Sequence, residues 1–196
     1  MSRKTTTLSS DYFEDKYLTD IDPWNFRTSD YERQKYAATV AALGKQRYRS
    51  ALEIGCSIGV LTGKLASRCL EITAIDPSAT AIAAARQNGI ANAVFITGSV
   101  PRDFPPGRFD LIVLSEVLYY FVASDLRHLA ERCAEALSSD GEILLCHWLG
   151  ETDYPLTGQE ASELFACHIF SRLPVRTLVR DDVYRLERFS RQREPA

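Results

Sequence analysis

The segment from Glu53 to Gly59 reads Glu-Ile-Gly-Cys-Ser-Ile-Gly and joins an apolar strand pattern to a helical one with almost no side-chain bulk. Gly55 and Gly59 relieve Cβ clashes where this turn tightens, and the helix after it offers unpaired N–H groups to a polar ligand. A second strand pattern, residues 70–75, ends on Asp76. One ionised carboxyl there can accept hydrogen bonds from both hydroxyls of a ribose. The spacing therefore predicts a site for a cofactor of the nucleotide type.

The details of the turn discriminate between cofactors. A dinucleotide fingerprint counted from Gly55 needs glycine at two positions where the chain has Ser57 and Val60. A phosphate-binding loop needs Ser or Thr after Gly-Lys, but Gly63-Lys64 is followed by Leu65. The turn resembles motif I of the class I S-adenosylmethionine (SAM) methyltransferases, E/D-x-G-x-G-x-G, with Ser in place of the middle Gly. This resemblance implies SAM as cofactor and S-adenosylhomocysteine as product. A tight turn without a ligand is the plainer alternative.

Strand and helix patterns alternate along the chain, which predicts a parallel sheet with helices on both faces. The C-terminal part differs, because a helix over 157–173 precedes two strands, 175–179 and 183–189, that meet at Asp181-Asp182. Thr157 is the expected cap of this helix, with Glu160 as its reciprocal partner. The predicted fold is α/β, a Rossmann-like class I methyltransferase with a mostly parallel seven-stranded sheet and an antiparallel C-terminal hairpin strand. The other predicted strands are 51–55, 70–75, 93–97, 109–115 and 142–148, and the helices between them are 58–68, 78–88 and 123–137.

The length of 196 residues and the hydrophobic content of 45% allow one domain with a sizeable core. We expect a single methyltransferase domain over 1–196. It comprises an N-terminal helical lid at 1–44, a SAM-binding core at 50–150, and a C-terminal helix and hairpin at 151–196.

Charge and cysteine usage limit the partners. With 23 basic and 26 acidic residues well mixed, no basic face is expected, so nucleic acid is excluded as a substrate. The five cysteines lack metal-ligand spacing and indicate reduced core thiols, with no metal site. After a polar tail at 1–10, without an apolar stretch, we expect no signal peptide, no membrane anchor and a cytoplasmic location. The oligomeric state expected is a monomer or weak homodimer.

Ligands of open α/β sheets bind beyond the carboxyl ends of the strands. After the third strand, Ser99 takes the place of an acidic residue that usually binds the adenine amino group in this superfamily, and the Val100 N–H would serve ring N1. Arg33 could pair with the SAM carboxylate beneath an aromatic lid that contains Trp24, although Trp24 could instead only staple a helix to the sheet. The predicted cofactor-binding residues are Trp24, Arg33, Glu53, Gly55, Cys56, Ser57, Gly59, Asp76, Pro77, Ser99, Val100 and Ser115.

Candidate catalytic residues follow the fourth and fifth strands. Glu116 could bind the methionine ammonium or an incoming amine, and Tyr119 and Tyr120 could shape the path of the methyl group. His147 could accept a proton in the useful pH range. Plainer alternatives exist for each: Glu116 as a solvated first residue of a helix, the tyrosines as packing aromatics, and His147 as a hydrogen-bonded structural residue.

Three strings resemble the rhizobial nodulation protein S family: DPWNFRTSDYERQKYAATVAAL, YRSALEIGCSIGVLTGKLASRC and HWLGETDYPLTGQEASELF. The resemblance runs from about Tyr12 to Phe189. It implies N-methylation of the free amine of an aminosugar, such as the non-reducing glucosamine of a deacetylated chitooligosaccharide. Another amine or sugar acceptor stays open. Three other functions also stay open: an O-methyltransferase acting on another small metabolite, a non-catalytic SAM-binding protein and an NAD-binding oxidoreductase.

Overall fold

The computed structural model describes residues 3–180 and 182–191, which form two compact units. The strands are β1 (Tyr48–Ile54), β2 (Cys69–Asp76), β3 (Ala93–Thr97), β4 (Phe109–Ser115), β5 (Leu137–Trp148), β6 (Val175–Arg180) and β7 (Tyr184–Ser190). The helices are α1 (Ser10–Thr19), α2 (Asp30–Ala41), α3 (Val60–Ala66), α4 (Ala79–Arg86), α5 (Ala123–Ala136) and α6 (Gly158–Ile169), with a short 3-10 helix at Leu118–Tyr120.

One unit, Ser9–Pro105, contains parallel strands in the order β3-β2-β1. Helices α1, α2 and α4 begin at serine caps, whose hydroxyl groups can satisfy free N–H groups of a first turn. Ser29 Oγ accepts from Glu32 N, and Ser78 Oγ accepts from Ala81 N. The carboxyl ends of β1 and β2 are neighbours in this register, so the turn after β1 lies beside Asp76.

The other unit contains strands in the order β4-β5-β7-β6. β4 and β5 are parallel, whereas β7 is antiparallel to both β5 and β6. The seven strands belong to a mostly parallel sheet that ends in an antiparallel C-terminal pair. The predicted fold class is confirmed.

Several element bounds differ from those expected. α3 begins only at Val60, because Gly59 is needed in a left-handed conformation (φ 78°) to complete the turn. β5 begins at Leu137, directly after α5, and its pairing with β4 contains an irregularity between Phe109 and Leu111. α6 ends at Ile169 rather than near 173, since the proline at 174 disfavours a helical residue before it. Asp181, expected in the hairpin turn, lies outside the described residues.

The capping box of α6 is confirmed, with Glu160 N donating to Thr157 Oγ1 and Thr157 N donating to Glu160 Oε2. Residues 3–8 of the polar tail form backbone hydrogen bonds within the unit that contains β4 to β7. Lys4 N donates to Asp153 O at 2.8 Å, and Leu8 N donates to Tyr120 O at 3.0 Å.

The described residues test the expectation that the cysteines are core thiols, and they can be searched for a helix that could span a membrane. Cys56, Cys69, Cys133 and Cys146 are buried free thiols. Cys167 is also free but exposed, because it lies on the outer face of α6, so the expectation of a core thiol is wrong there. No helix in 3–180 or 182–191 is long and apolar enough to cross a membrane.

A buried ionic network connects β6, β7 and α6. Glu187 is fully buried, and its carboxylate accepts from Arg176 Nε at 2.6 Å and from Arg185 Nε at 2.8 Å. Arg185 also donates to Glu163 at 3.1 Å. Because a buried ion that loses its partner is costly, this network makes the sheet edge depend on one carboxylate.

We predict that Glu187→Gln lowers the free energy of unfolding by about 2–4 kcal/mol, because it removes the negative charge between two arginines, one of them buried. Urea unfolding at neutral pH measures the change. Glu131→Gln, on the exposed face of α5, is the matched control and should stay within about 0.5 kcal/mol of the parent. Equal stability of the two variants would contradict the prediction.

Candidate functional site

The turn after β1 is tied to the end of β2 by its own backbone. Gly55 N and Cys56 N both donate to Ile75 O, at 2.8 and 3.1 Å, and Ser57 N donates to Asp76 Oδ2 at 2.8 Å. Gly55 and Ser57 have φ values of 77° and 51°. In a phosphate-binding loop the backbone N–H groups point at the anion. Here three of them point into the protein, which argues against a pyrophosphate cradle.

Asp76 lies at the centre of this arrangement and is only 6% exposed. Its Oδ1 accepts from Ser78 N at 3.0 Å, while Oδ2 accepts from Ser57 N. Burial raises the pKa of Asp76 to about 6, against the effect of the two backbone donors. A carboxylate has about four acceptor positions, so it can hold the turn and still accept from a diol. Pro77, which lies between Asp76 and Ser78 in the chain, is half-buried.

Gly59 is fixed by packing as well as by its backbone conformation. A Cβ at this position would lie 3.1 Å from Ala85 Cβ and 3.1 Å from Asn88 Nδ2. Asn88 Nδ2 also donates to Ile58 O at 2.8 Å. The end of α4 thus supports the turn, a contact that no sequence motif indicated.

Glu53 and Cys56, both predicted to bind cofactor, have buried side chains with structural contacts. Glu53 is 2% exposed and accepts from Thr62 Oγ1 at 2.6 Å, which ties β1 to α3. Burial raises the pKa of Glu53 to about 8, so the group is mostly protonated at neutral pH. The Cys56 side chain packs in an apolar cluster, and burial raises the pKa of its thiol.

Helix α1 contributes two residues that the sequence prediction missed. The Glu14 carboxylate accepts from Ser78 Oγ at 2.7 Å and from Thr80 Oγ1 at 2.6 Å. These hydroxyl bonds lower the pKa of Glu14. One turn later, Tyr17 OH donates to Ser57 Oγ at 2.5 Å. The spacing of the two residues places them on one face of α1, but nothing in the sequence named their partners.

The residues of the predicted lid have two different environments. Trp24 stacks on Phe26 at 5.6 Å between ring centroids and meets Tyr17 edge-on at 5.7 Å. It also packs against the buried cluster that includes Ile58 of the turn. The Arg33 side chain is 63% exposed and pairs with Asp30 at 2.7 Å. Trp24 therefore lies near the turn, as both the lid and the staple alternatives require, whereas Arg33 extends into solvent.

After β3, an acidic residue does lie beside the predicted adenine contacts. Ser99 N donates to Asp103 Oδ2, and Asp103 N donates to Ser99 O, both at 2.9 Å. Hydrogen bonding from Arg102 lowers the pKa of Asp103 to about 2. Ser99 and Val100 directly follow the predicted strand, whereas Asp103 lies several residues later and was not among the predicted site residues.

In the second unit, Glu116 directly follows β4 and has a left-handed backbone, with φ of 56°. Its Oε2 accepts from Tyr119 OH at 2.6 Å and from Trp148 N at 3.0 Å. A non-glycine residue in this conformation stores strain, which is typical of functional sites. The alternative of a solvated helix residue does not describe Glu116, because its carboxylate joins the ends of two strands.

His147 is fully buried, and both ring nitrogens have protein partners. Nε2 accepts from Leu118 N at 3.1 Å, and Nδ1 lies 3.4 Å from Ser162 Oγ. A neutral imidazole has one donor and one acceptor nitrogen, so an accepting Nε2 places the proton on Nδ1. This geometry favours the structural alternative for His147.

Three tyrosines form an aromatic cluster beside these residues. Tyr119 stacks on Tyr154 at 5.4 Å, while Tyr120 meets both rings edge-on at 4.7 Å. Burial raises the pKa of Tyr119. Tyr154 was not among the predicted site residues, although it lies in the DYPLTG string that supported the family resemblance.

Ser115, the last residue of β4, has a buried hydroxyl oxygen without a hydrogen-bond partner in the part of the chain that the structure describes. A buried polar atom without a partner fits a ligand group that would complete it. Over the same described ranges, no group of three His, Cys, Asp or Glu side chains could hold a metal ion.

Comparison with known proteins gives a family-model match and relatives that share its name. The family model for Nodulation protein S (NodS) matches residues 9–148. Nodulation protein S of Bradyrhizobium diazoefficiens is 33% identical over 63% of this chain and 61% of that protein. The Azorhizobium caulinodans protein of the same name is 30% identical over 71% of this chain and 70% of that protein.

The fold is likewise that of a solved relative. The crystal structure of N-methyltransferase NodS from Bradyrhizobium japonicum WM9, in complex with S-adenosyl-L-homocysteine, matches with a TM-score of 0.78. It is 22% identical and covers 93% of this chain and 98% of that one. The matched segments of four Nodulation protein S relatives span between 43% and 70% of those proteins. The family model covers well over half of this chain, which therefore belongs to the nodulation protein S (NodS) family.

Proposed function

We propose that this protein is a SAM-dependent methyltransferase that methylates the free amine of an aminosugar, such as a deacetylated chitooligosaccharide. The observation that carries the proposal is the buried Asp76 carboxylate, which joins the glycine turn after β1 to the start of α4. Membership of the NodS family supports it, since a structure from that family is named an N-methyltransferase.

On the cofactor side, each proposed contact uses a group described above. Asp76 would accept from the ribose hydroxyls, and the turn from Gly55 to Gly59 would lie against the methionine moiety. Ser99 and Val100 would contact adenine. The buried Ser115 hydroxyl would bind the polar end of the methionine moiety. When bound, SAM supplies an electrophilic methyl group on a sulfonium.

On the acceptor side, the protein must deliver an uncharged amine, because a protonated nitrogen has no lone pair. Glu116 is the proposed proton acceptor, since its carboxylate is fixed at the tip of β4 by Tyr119 OH and Trp148 N. His147 is proposed as a positioning residue. It accepts from Leu118 N and so fixes the 3-10 helix that carries Tyr119 and Tyr120. Alignment of the reacting atoms is the main catalytic contribution.

The N-terminal residues Trp24 and Arg33 are also proposed to contact the cofactor. Trp24 would cover the cofactor, and Arg33 would reach its carboxylate only after leaving Asp30. We propose one methyltransferase domain, a monomer or weak homodimer, and a cytoplasmic location. The free thiols support the cytoplasmic location.

Turnover with a matched pair of acceptors tests the function. The protein is incubated with SAM and a chitooligosaccharide whose non-reducing glucosamine has a free amine, beside the fully N-acetylated oligomer. Mass spectrometry should show a methyl group added to the free-amine oligomer alone. Methylation of both oligomers would indicate a hydroxyl acceptor, and S-adenosylhomocysteine binding without turnover would contradict the enzyme proposal.

We predict that Asp76→Asn weakens S-adenosylhomocysteine binding by about 1.5–3 kcal/mol, because the variant loses a charge-assisted acceptor for the ribose diol. Isothermal titration calorimetry measures the affinity, and circular dichroism checks the fold. Asp11→Asn, on the exposed side of α1, is the control and should bind as the parent does. Parental affinity in a folded Asp76→Asn variant would contradict the assignment.

We also predict a pH dependence that belongs to Asp76. Its pKa of about 6 in the free protein means that the carboxyl is ionised above pH 6 and protonated below it. Since the ribose hydroxyls need an acceptor, affinity for S-adenosylhomocysteine should fall by up to about tenfold per pH unit below pH 6. Calorimetry from pH 5 to 8 measures this fall. Asp76→Asn should remove it; an identical fall in that variant would assign the titration elsewhere.

For His147 we predict that substitution by Asn lowers the rate without moving the pH at which kcat/KM rises. The buried ring loses its bonds to Leu118 N and Ser162, so stability should decrease by about 1–3 kcal/mol. The pH profile separates the two roles, because a base would take its own pKa out of the profile. A shifted or flattened rise in His147→Asn would make His147 the base after all.

A further inference from the structure

Trp148, the last residue of β5, is partly exposed at the end of a buried stretch of strand. The two residues before it, Cys146 and His147, are fully buried, whereas the Trp148 side chain is 37% exposed. A single exposed aromatic side chain is common on protein surfaces, so the significance of Trp148 depends on how it is held and on the groups near it. Trp148 was not among the predicted site residues.

The backbone of Trp148 is held from two directions. Its N–H donates to Glu116 Oε2 at 3.0 Å, and in the sheet Trp148 is paired with Tyr184 of β7. The next residue, Leu149, donates its N–H to Val183 O at 2.8 Å. The exposed indole therefore starts from a fixed main chain rather than from a loose loop.

Two glycines make room for this residue. A Cβ on Gly150 would lie 2.0 Å from the indole atom Cζ2, and a Cβ on Gly158 would lie 2.0 Å from Trp148 O. The indole thus lies directly against the backbone at Gly150, and a side chain there would displace it. The chain positions an indole that it does not bury.

Polar and aromatic groups contact Trp148 or follow it closely in the chain. Glu116, which accepts from Trp148 N, also accepts from Tyr119 OH within the tyrosine cluster. In the loop after Trp148, the Thr152 Oγ1 atom is buried and has no hydrogen-bond partner among the residues that are described. Binding sites combine aromatic surface with a few placed polar groups, and this region has both.

We propose that Trp148 is the stacking platform of an acceptor subsite, which binds the apolar C–H face of a pyranose ring whose amine is directed to Glu116. The inference rests on the proposed function and deepens it by assigning the recognition of a sugar ring. A rigid indole offers a large contact area at low cost in conformational entropy. The subsite therefore selects an amine carried on a ring over a simple alkylamine.

Calorimetric titration with a glucosamine oligomer, with S-adenosylhomocysteine present, tests the platform. Trp148→Ala should weaken oligomer binding by about tenfold or more, and Trp148→Phe should recover most of the affinity. Phe170→Ala removes another exposed aromatic of the same unit, 57% exposed at the end of α6, and should bind as the parent does. S-adenosylhomocysteine affinity should be unchanged in all three variants, which controls for folding.

Gly150→Ala provides an independent test through the indole position. It should weaken oligomer binding by itself but add little to Trp148→Ala, because both changes act on one contact. Additive losses, or parental affinity in Trp148→Ala, would overturn the platform while leaving the methyltransferase proposal intact. A parent protein that binds S-adenosylhomocysteine but no glucosamine oligomer would overturn both the aminosugar acceptor and the platform.

Discussion

The buried carboxylate of Asp76 is the interaction on which the candidate cofactor site depends. Through two backbone N–H groups, of Ser57 and Ser78, it fixes the turn after β1 relative to the start of α4. Helix α1 reinforces the same point, because Glu14 binds the hydroxyl of Ser78 and Tyr17 binds that of Ser57. A pKa of about 6 shows that burial of this charge is costly. An amide has only one acceptor oxygen and could not hold both backbone groups in this way, whereas the carboxylate holds both and keeps the acceptor positions that we propose for the ribose hydroxyls.

In the second unit, at the end of β4, another carboxylate is held in place by hydrogen bonds from the protein. Glu116 accepts from a backbone N–H and from a tyrosine hydroxyl, and its own backbone is in a strained left-handed conformation. His147 supports this region indirectly, since it accepts from Leu118 N beneath the tyrosine cluster. The proposed acceptor chemistry thus depends on placement of a carboxylate and aromatic rings rather than on a strong base. Methyl transfer from a sulfonium to a neutral amine requires alignment above all.

The sequence predicted those features whose signal is local. β3 and β4 occupy the expected residues, and the capping box of Thr157 and Glu160 forms as its spacing requires. The contacts that it could not predict join residues far apart in the chain. Periodicity places Glu14 on a helix face but cannot name Ser78 as its partner, and a histidine after a strand looks the same whether its nitrogens are free or occupied. The buried network at Glu187 was missed in part for the same reason: Arg185 lies two residues away on β7, but Arg176 reaches Glu187 only because β6 pairs with β7.

A crystal structure of the protein with S-adenosylhomocysteine tests the role of Asp76 most directly, because it locates the ribose without reliance on a substitution. The predicted result has both ribose hydroxyls within hydrogen-bond distance of the Asp76 carboxylate, with the bonds from Ser57 N and Ser78 N retained. A ribose bound elsewhere, or an Asp76 side chain that contacts only the two backbone donors, would contradict the assignment.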